Sequence, residues 1–163
     1  GGPMIDEAAQ SGDRHAIDFP RALRTDPVHA FNFSFSGLKT AVARWVKEQQ
    51  RLGNTISVPN VAASDEEAIA DILTSKAIAA AVNQNAPHLV IAGGVAANSR
   101  LRTLAAERCA EAGIELRVPS PGLCTDNGAM VAALGSHLVR IGGAPSPVDF
   151  PATSTLPVSE VFF

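Results

Sequence analysis

Leu89-Val-Ile-Ala-Gly-Gly-Val-Ala-Ala-Asn98 begins as an apolar run and passes through two glycines to an asparagine. A short apolar run bounded by turn residues is typical of a buried strand, which we expect over 88–92. Gly93 and Gly94 end the strand and allow a ligand to approach the backbone closely. Asn98 is well suited to cap a helix. The stretch therefore predicts a strand, a turn and a helix, as in an α/β protein.

Two interpretations of this turn stay open. A helix start offers unpaired N–H groups and a partial positive charge, which suit phosphate or ribose oxygens, and Asn98 would then bond to the ligand. Turns of this kind are also common without any ligand, in which case the asparagine is only a cap.

The upstream sequence predicts three helices, over 3–10, 36–52 and 64–85. The third begins with a capping box, in which Ser64 is followed three residues later by Glu67. Apolar residues at helical spacing define the inner face of the second and third helices.

An alternating segment precedes the second helix. Phe31, Phe33 and Phe35 are separated by polar residues, which predicts a strand that leads into a helix capped by Ser36. Lys39 lies in the first helical turn, where a positive charge is unfavourable. It either meets an anion or is simply solvated.

Downstream, a helix is predicted over 98–113, with an apolar face formed by Leu101, Leu104, Ala105 and Cys109. A strand is expected over 114–118, and a last helix over about 126–141. Helices alternating with strands predict the α/β class.

Cys124-Thr-Asp-Asn-Gly-Ala-Met130 places Asp126 at or just before the start of the last helix. Asp126 is either a helix cap or a carboxylate presented to a metal or polar ligand, and the pattern does not decide between them. Arg14, His15, Arg21, Arg24 and His29 are mixed with aspartates. That segment is either a solvated loop or a contact to RNA phosphates.

The composition excludes several classes of protein. The 163 residues carry 13 Lys and Arg against 16 Asp and Glu, a formal net charge of −3, which argues against a strongly basic nucleic-acid binder. Two cysteines are too few for a disulfide framework or a four-cysteine zinc site. The apolar stretches are too short to span a membrane. A reducing cytoplasm is therefore the expected location.

Four motifs together resemble the TsaD family of tRNA threonylcarbamoyladenosine transferases, formerly described as O-sialoglycoprotein endopeptidases. They occur in the family's order and with similar spacing, and the resemblance extends from Gly1 to about Gly143. The motifs are Gly1-Gly2-Pro3, Phe31–Thr40, Ile91–Asn98 and Cys124–Met130.

The resemblance implies an actin-like ATPase fold of the sugar kinase and Hsp70 type, with two related lobes around a cleft. Family members are considerably longer, so residues 1–143 are expected to form the C-terminal lobe, followed by a Pro-rich extended tail over 144–163. The family's His-x-x-x-His metal motif belongs to the other half and does not occur here. This half alone is therefore expected to be inactive.

The resemblance also assigns site residues. Asp126 matches the family's carboxylate ligand for a divalent metal, iron or zinc. Asn98 matches an asparagine that binds the substrate or nucleotide, and Gly2 matches the substrate-binding glycine of the Gly-Gly-Pro turn. Gly93 and Gly94 resemble the adenosine-motif glycines of actin-like ATPases. No residue of this chain is assigned a catalytic role.

The implied reaction transfers a threonylcarbamoyl group from threonylcarbamoyl-adenylate to the adenosine beside the anticodon of a tRNA. A metal held by two histidines and one aspartate would polarise the carbamate carbonyl. The implied partners are tRNA, a non-catalytic paralogue and a small ATPase, with no membrane.

Two alternative functions remain. One is the non-catalytic actin-like paralogue, or another binding module of the same complex, although a scaffold has no need of a metal carboxylate. The other is a different actin-like ATPase, such as a sugar kinase.

Overall fold

A computed structural model describes residues 2–24, 26–145 and 148–149. They fall into two compact units, which divide between Cys124 and Thr125. The first unit contains α1 (Gly2–Ala9), α2 (Ser36–Arg51), α3 (Val58–Asn83), β1 (His88–Val90), α4 (Ser99–Ala112) and β2 (Glu115–Arg117). The second contains α5 (Gly128–Arg140). Most of the predicted tail over 144–163 lies outside the described residues.

The long helix α3 organises the first unit, since α1, α2 and α4 all pack against it. Small buried side chains along α3, including Ala63, Ala68 and Ala70, allow the neighbouring helices to approach closely. Around Ala68, Phe19 meets Trp45 edge to face with ring centroids 6.2 Å apart. Burial of these apolar faces, rather than helix propensity alone, holds the helices in place.

The two strands form a small parallel sheet in which His88, Leu89 and Val90 lie opposite Glu115, Leu116 and Arg117. Helix α4 connects them, as expected for a parallel pair. Leu89 packs against the buried cluster that includes Cys109 and Ile114. Val90, on the opposite face, is 65% exposed. The prediction of a fully buried strand was therefore wrong, because the helices of the described residues cover only one face of this sheet.

Helix α4 follows the sequence prediction closely. Asn98 is its N-cap, and its Oδ1 accepts a hydrogen bond of 2.8 Å from the Leu101 N–H. Gly113 ends the helix in the left-handed conformation, with φ of 68°. The four predicted inward residues, Leu101, Leu104, Ala105 and Cys109, are all buried.

The predicted start of α3 was wrong. The helix begins at Val58, where Ser57 accepts a hydrogen bond from the Asn60 N–H. Ser64 is 1% exposed in the middle of the helix, where its hydroxyl accepts from the Ile17 N–H and donates to the Asp13 carbonyl. Glu67 bonds to Arg100 instead of completing a capping box. Both side chains therefore serve tertiary contacts.

The predicted strand at the phenylalanine segment was also wrong. Residues 32–35 adopt no regular structure, and the only sheet among the described residues pairs β1 with β2. The rings of Phe33 and Phe35 instead stack on each other, 6.2 Å apart and inclined by 13°. Helix α2 begins at Ser36, and the cap position belongs to Phe35 without a side-chain bond. Ser36 is therefore not a cap.

Gly12 lies where the chain passes close to α3. A Cβ at this position would lie 2.0 Å from the Pro59 carbonyl oxygen and 2.9 Å from the Ala63 Cβ. We expect Gly12→Ala to destabilise the protein by about 2 kcal/mol, because backbone and packed side chain must both shift. Urea denaturation measures the change.

Gly37 provides the matched control for that substitution. It lies in the first turn of α2, and a Cβ there would meet no atom within 4 Å. Gly37→Ala should therefore leave the stability equal or slightly higher, since alanine favours a helix more than glycine does. Equal effects of the two substitutions would show that the contact with Pro59 is unimportant.

The combination of helices with a parallel strand pair is compatible with the predicted α/β class. Over the described ranges, no helix is both long enough and apolar enough to cross a lipid bilayer.

Candidate functional site

A cavity of about 360 Å³ in the first unit brings together three of the residues singled out in the sequence, Gly2, Gly94 and Asn98. Gly2 is the first residue of α1, Gly94 begins a short 3-10 turn, and Asn98 caps α4. Three separate segments of the chain therefore meet at this point, which we call the Gly2–Asn98 cavity.

Apolar side chains form most of its walls: Ile5, Ile69, Ala70, Leu73, Val95 and Leu101. The polar side chains that line it are Asp6, Asp65, Glu66 and Asn98. Such a surface suits a flat apolar group that carries hydrogen-bond donors. The carboxylates disfavour a phosphate directly beside them, because like charges repel.

The carboxamide of Asn98 is engaged at both ends. Its Oδ1 caps α4, while its Nδ2 lies 2.5 Å from Glu66 Oε1 and 3.4 Å from Asp6 Oδ1. The two interpretations of Asn98 as a cap and as a polar group of a binding site therefore do not exclude each other. The residue caps the helix and also lines the cavity.

The sequence patterns did not identify Asp6 as a residue of the site. One of its carboxylate oxygens, Oδ1, accepts hydrogen bonds from the backbone N–H and the hydroxyl of Ser99, at 3.2 and 2.7 Å. It thereby ties α1 to the start of α4. The sequence feature that could have identified Asp6 is its spacing from Gly2. It lies four residues after Gly2, and residues at this spacing share one face of a helix.

Glu66 and Asp65 are partly buried carboxyl groups in the wall of the cavity. The pKa of Glu66 is raised to about 7, and burial is the largest cause. The hydrogen bond from Asn98 lowers the pKa, and the neighbouring Asp6 raises it. Burial also raises the pKa of Asp65. Near neutral pH, Glu66 therefore exists in both protonation states, a property more frequent in functional sites than on ordinary surfaces.

Gly93 immediately precedes the part of the turn that lines the cavity. Its φ of 83° lies in the region that favours glycine, while a Cβ there would meet nothing within 4 Å. Backbone conformation, not space, thus requires glycine at this position. The turn is held from behind by Arg102, which donates to the Ala96 carbonyl at 2.5 Å and to the Pro119 carbonyl at 2.7 Å.

Asp126 belongs to the second unit, where it is exposed and precedes α5. Asn127, not Asp126, is the N-cap, since its Oδ1 accepts a hydrogen bond of 2.9 Å from the Met130 N–H. The carboxylate of Asp126 is therefore not used to begin the helix.

The fit of a metal can be judged from the donor set. A carboxylate oxygen such as that of Asp126 suits iron or zinc as one ligand, but a protein site needs about three. Among residues 2–24, 26–145 and 148–149, no group of three His, Cys, Asp or Glu side chains is placed to hold a metal. The described residues thus include one candidate ligand, Asp126, but do not form a metal site with three ligands.

Most of the segment rich in arginine is exposed, as the interpretation of a solvated loop predicts: Arg14, His15, Arg24 and His29 all lie at the surface. Two of its arginines nevertheless reach a buried carboxylate. Arg21 Nε and Arg24 Nη1 lie 2.6 and 2.8 Å from Asp71 Oδ2, and Arg108 Nη2 lies 2.5 Å from Asp71 Oδ1. Although burial opposes ionisation, the hydrogen bonds from Arg108 and Arg21 hold the pKa of Asp71 below its usual value. Neither sequence interpretation anticipated this ion-pair cluster.

Comparison with known families agrees with the resemblance noted in the sequence. A model of the family described as TsaD, tRNA N6-adenosine threonylcarbamoyltransferase, matches residues 1–133 of the 163. The matched range contains α1 to α4, both strands, the Gly2–Asn98 cavity and Asp126. The chain therefore belongs to the TsaD family, whose general function is the threonylcarbamoyladenosine modification of tRNA.

Proposed function

We propose that this chain supplies half of the cleft in which a threonylcarbamoyl group passes from threonylcarbamoyl-adenylate to the adenosine beside the anticodon of a tRNA. The observation that supports this most strongly is the Gly2–Asn98 cavity, which collects site residues from three segments. In this proposal residues 1–143 form the C-terminal actin-like lobe, and a second lobe completes the cleft.

The cavity would hold the nucleoside end of the adenylate. Apolar residues such as Ile69 and Leu101 would pack against the flat base. The Asp6 carboxylate would accept hydrogen bonds from hydroxyl or amine groups, while the Glu66 carboxylate adds negative charge to the same wall. Because those carboxylates repel a phosphate, the phosphate would point away from them. The Gly93–Gly94 turn would then lie against the bound nucleotide.

The transfer itself forms a bond between the adenine amine nitrogen and the carbamate carbonyl carbon. The bond from that carbon to the phosphate oxygen breaks, adenylate leaves with the electron pair, and the amine loses a proton. An adenine amine is a poor nucleophile, so fixed positioning of the two reactants is the main contribution expected from the protein. A rigid cavity that holds the nucleoside supplies that positioning.

Asp126 is the ligand that this chain would contribute to a divalent metal, iron or zinc. Such a metal would supply Lewis-acid polarisation of the carbamate carbonyl. At least one further ligand would have to come from outside the described residues, because no group of three potential ligands is placed among them. This supports the proposal that this half alone is inactive. We further propose a non-catalytic paralogue and a small ATPase as partners, with the reaction in the cytoplasm.

The role of Asn98 can be tested by nucleoside binding. Asn98→Ser keeps an oxygen that caps α4 but removes the carboxamide from the cavity. We expect this variant to bind adenosine about tenfold more weakly, because a buried polar contact and the geometry of the wall are lost. Isothermal titration calorimetry with adenosine measures the affinity.

Asn98→Ala is the companion variant, since it removes the cap as well. It should show the same loss of affinity as Asn98→Ser and, in addition, a loss of stability of about 1 kcal/mol. If Asn98→Ser bound adenosine as well as the wild type, Asn98 would be only a cap. If the wild type did not bind adenosine, the cavity would not be a nucleoside site.

A further inference from the structure

The anchoring of Asn98 is asymmetric. Its oxygen is fixed by the backbone, through the Leu101 N–H, whereas its amide nitrogen depends on side chains. The shorter of these contacts is to Glu66, at 2.5 Å, against 3.4 Å to Asp6. Asp6 is also occupied by Ser99, to which it bonds twice. Glu66 is therefore the principal group that holds the free end of the carboxamide.

We propose that Glu66 is a positioning residue, whose ionised carboxylate holds the Asn98 carboxamide in the wall of the cavity so that a nucleoside binds with full affinity. This inference rests on the proposed nucleoside role of the cavity and adds to it a dependence on proton concentration. Glu66 acts through Asn98.

The direction of the effect follows from linkage. The hydrogen bond from Asn98 lowers the pKa of Glu66, so the ionised carboxylate must hold Asn98 more tightly than the neutral carboxyl group does. A charge-assisted hydrogen bond is roughly twice as strong as a neutral one. As the pH falls through about 7, Glu66 takes up a proton and the anchor weakens.

Other charged groups around Glu66 set the pH range in which its carboxylate takes up a proton. Asp6 on α1 disfavours ionisation of Glu66, and Arg14, in the segment after α1, favours it. Arg100 on α4 is also electrostatically coupled to Glu66. Asp65 is adjacent on α3 and has a raised pKa of its own. Because Asp65 lines the same cavity, it provides the matched control.

The first test measures adenosine affinity by calorimetry from about pH 8 down to about pH 5.5. Adenosine is uncharged over this range, so changes report on the protein. We expect the wild type and Asp65→Asn to lose about tenfold in affinity as the pH falls. Glu66→Gln keeps an acceptor for Asn98 but cannot ionise, so its affinity should not change with pH. Glu66→Ala should bind weakly at every pH.

The second test does not require a nucleoside. In NMR spectra, the side-chain amide signals of Asn98 should shift with pH around a midpoint near 7 in the wild type. They should not do so in Glu66→Gln. An adenosine affinity independent of pH, together with Asn98 signals that do not move, would overturn the inference and leave the nucleoside site standing. If adenosine did not bind at any pH, the proposed function would fall, and the amide titration would still decide whether Glu66 positions Asn98.

Discussion

Asp126→Ala is expected to lower threonylcarbamoyl transfer to tRNA by the active enzyme at least about 100-fold, with loss of the bound metal. The structure makes this a test of chemistry rather than of folding. Asp126 is exposed and does not cap α5, because Asn127 makes that bond. Its removal should therefore leave the thermal stability unchanged. The measurements are incorporation of labelled threonine into tRNA, metal content and a thermal melt.

Asn127→Ala is the natural control for Asp126→Ala. It removes the cap of α5, at a cost of about 1 kcal/mol, but leaves the adjacent carboxylate in place. We expect it to melt earlier while keeping its metal and most of its activity. If Asp126→Ala kept both metal and activity, Asp126 would not be a ligand. The alternative of a non-catalytic binding module would then gain support.

Asp71→Ala is expected to destabilise the first unit by about 3 kcal/mol. Asp71 is only 6% exposed, yet Arg21, Arg24 and Arg108 all bond to its carboxylate. Its removal would leave three positive charges close together, with only the exposed Asp18 still bonded to one of them. The guanidinium groups are partly exposed and can regain water, which keeps the cost at the lower end of that for breaking a buried ion pair. Urea denaturation at neutral pH measures the loss.

Asp18 offers a matched control for Asp71. It also bonds to Arg21, but its side chain is 97% exposed. Removal of an exposed partner should cost less than about 0.5 kcal/mol. Losses of similar size for Asp18→Ala and Asp71→Ala would contradict the structural role of the cluster.

The Asp71 cluster should also be sensitive to acid. The folded protein holds the pKa of Asp71 below its ordinary value of 3.8. The stability that its ionised form contributes is therefore fully present above that value and is lost as the pH falls further. The free energy of unfolding of the wild type should accordingly approach that of Asp71→Ala in strong acid.

Local sequence patterns were enough to predict α4, because the residues that determine this helix all lie in one continuous stretch. The cap at Asn98, the inward residues and the terminating Gly113 act on their own helix, so no distant part of the chain had to be known. The phenylalanine segment shows the opposite case. An alternating pattern describes a strand only if a partner strand is available, and the sheet of the described residues offers none there.

The error at Ser64 has a related cause. Its spacing to Glu67 satisfies the capping-box pattern. In the structure, however, the Ser64 hydroxyl bonds to the backbone of residues 13 and 17, and the Glu67 carboxylate bonds to Arg100. Tertiary packing overrode the local signal. Within the candidate site, the motifs led to the glycines and Asn98. Glu66 was missed because its relation to Asn98 arises only when α3 packs against α4.

The double engagement of Asn98 restricts which amino acids position 98 can accept. The backbone of α4 requires a short side chain with an acceptor, a condition that serine, threonine and aspartate also meet. The carboxylates of Glu66 and Asp6 require a donor on that same side chain. Aspartate has no donor, and glutamine offers both groups but is one carbon longer. Serine and threonine carry donor and acceptor on a single oxygen, which lies one bond closer to the backbone than the amide nitrogen of Asn98 and so cannot serve both partners equally well. When position 98 is randomised, selection for a folded protein should therefore accept several amino acids. Selection for an intact cavity should accept only asparagine.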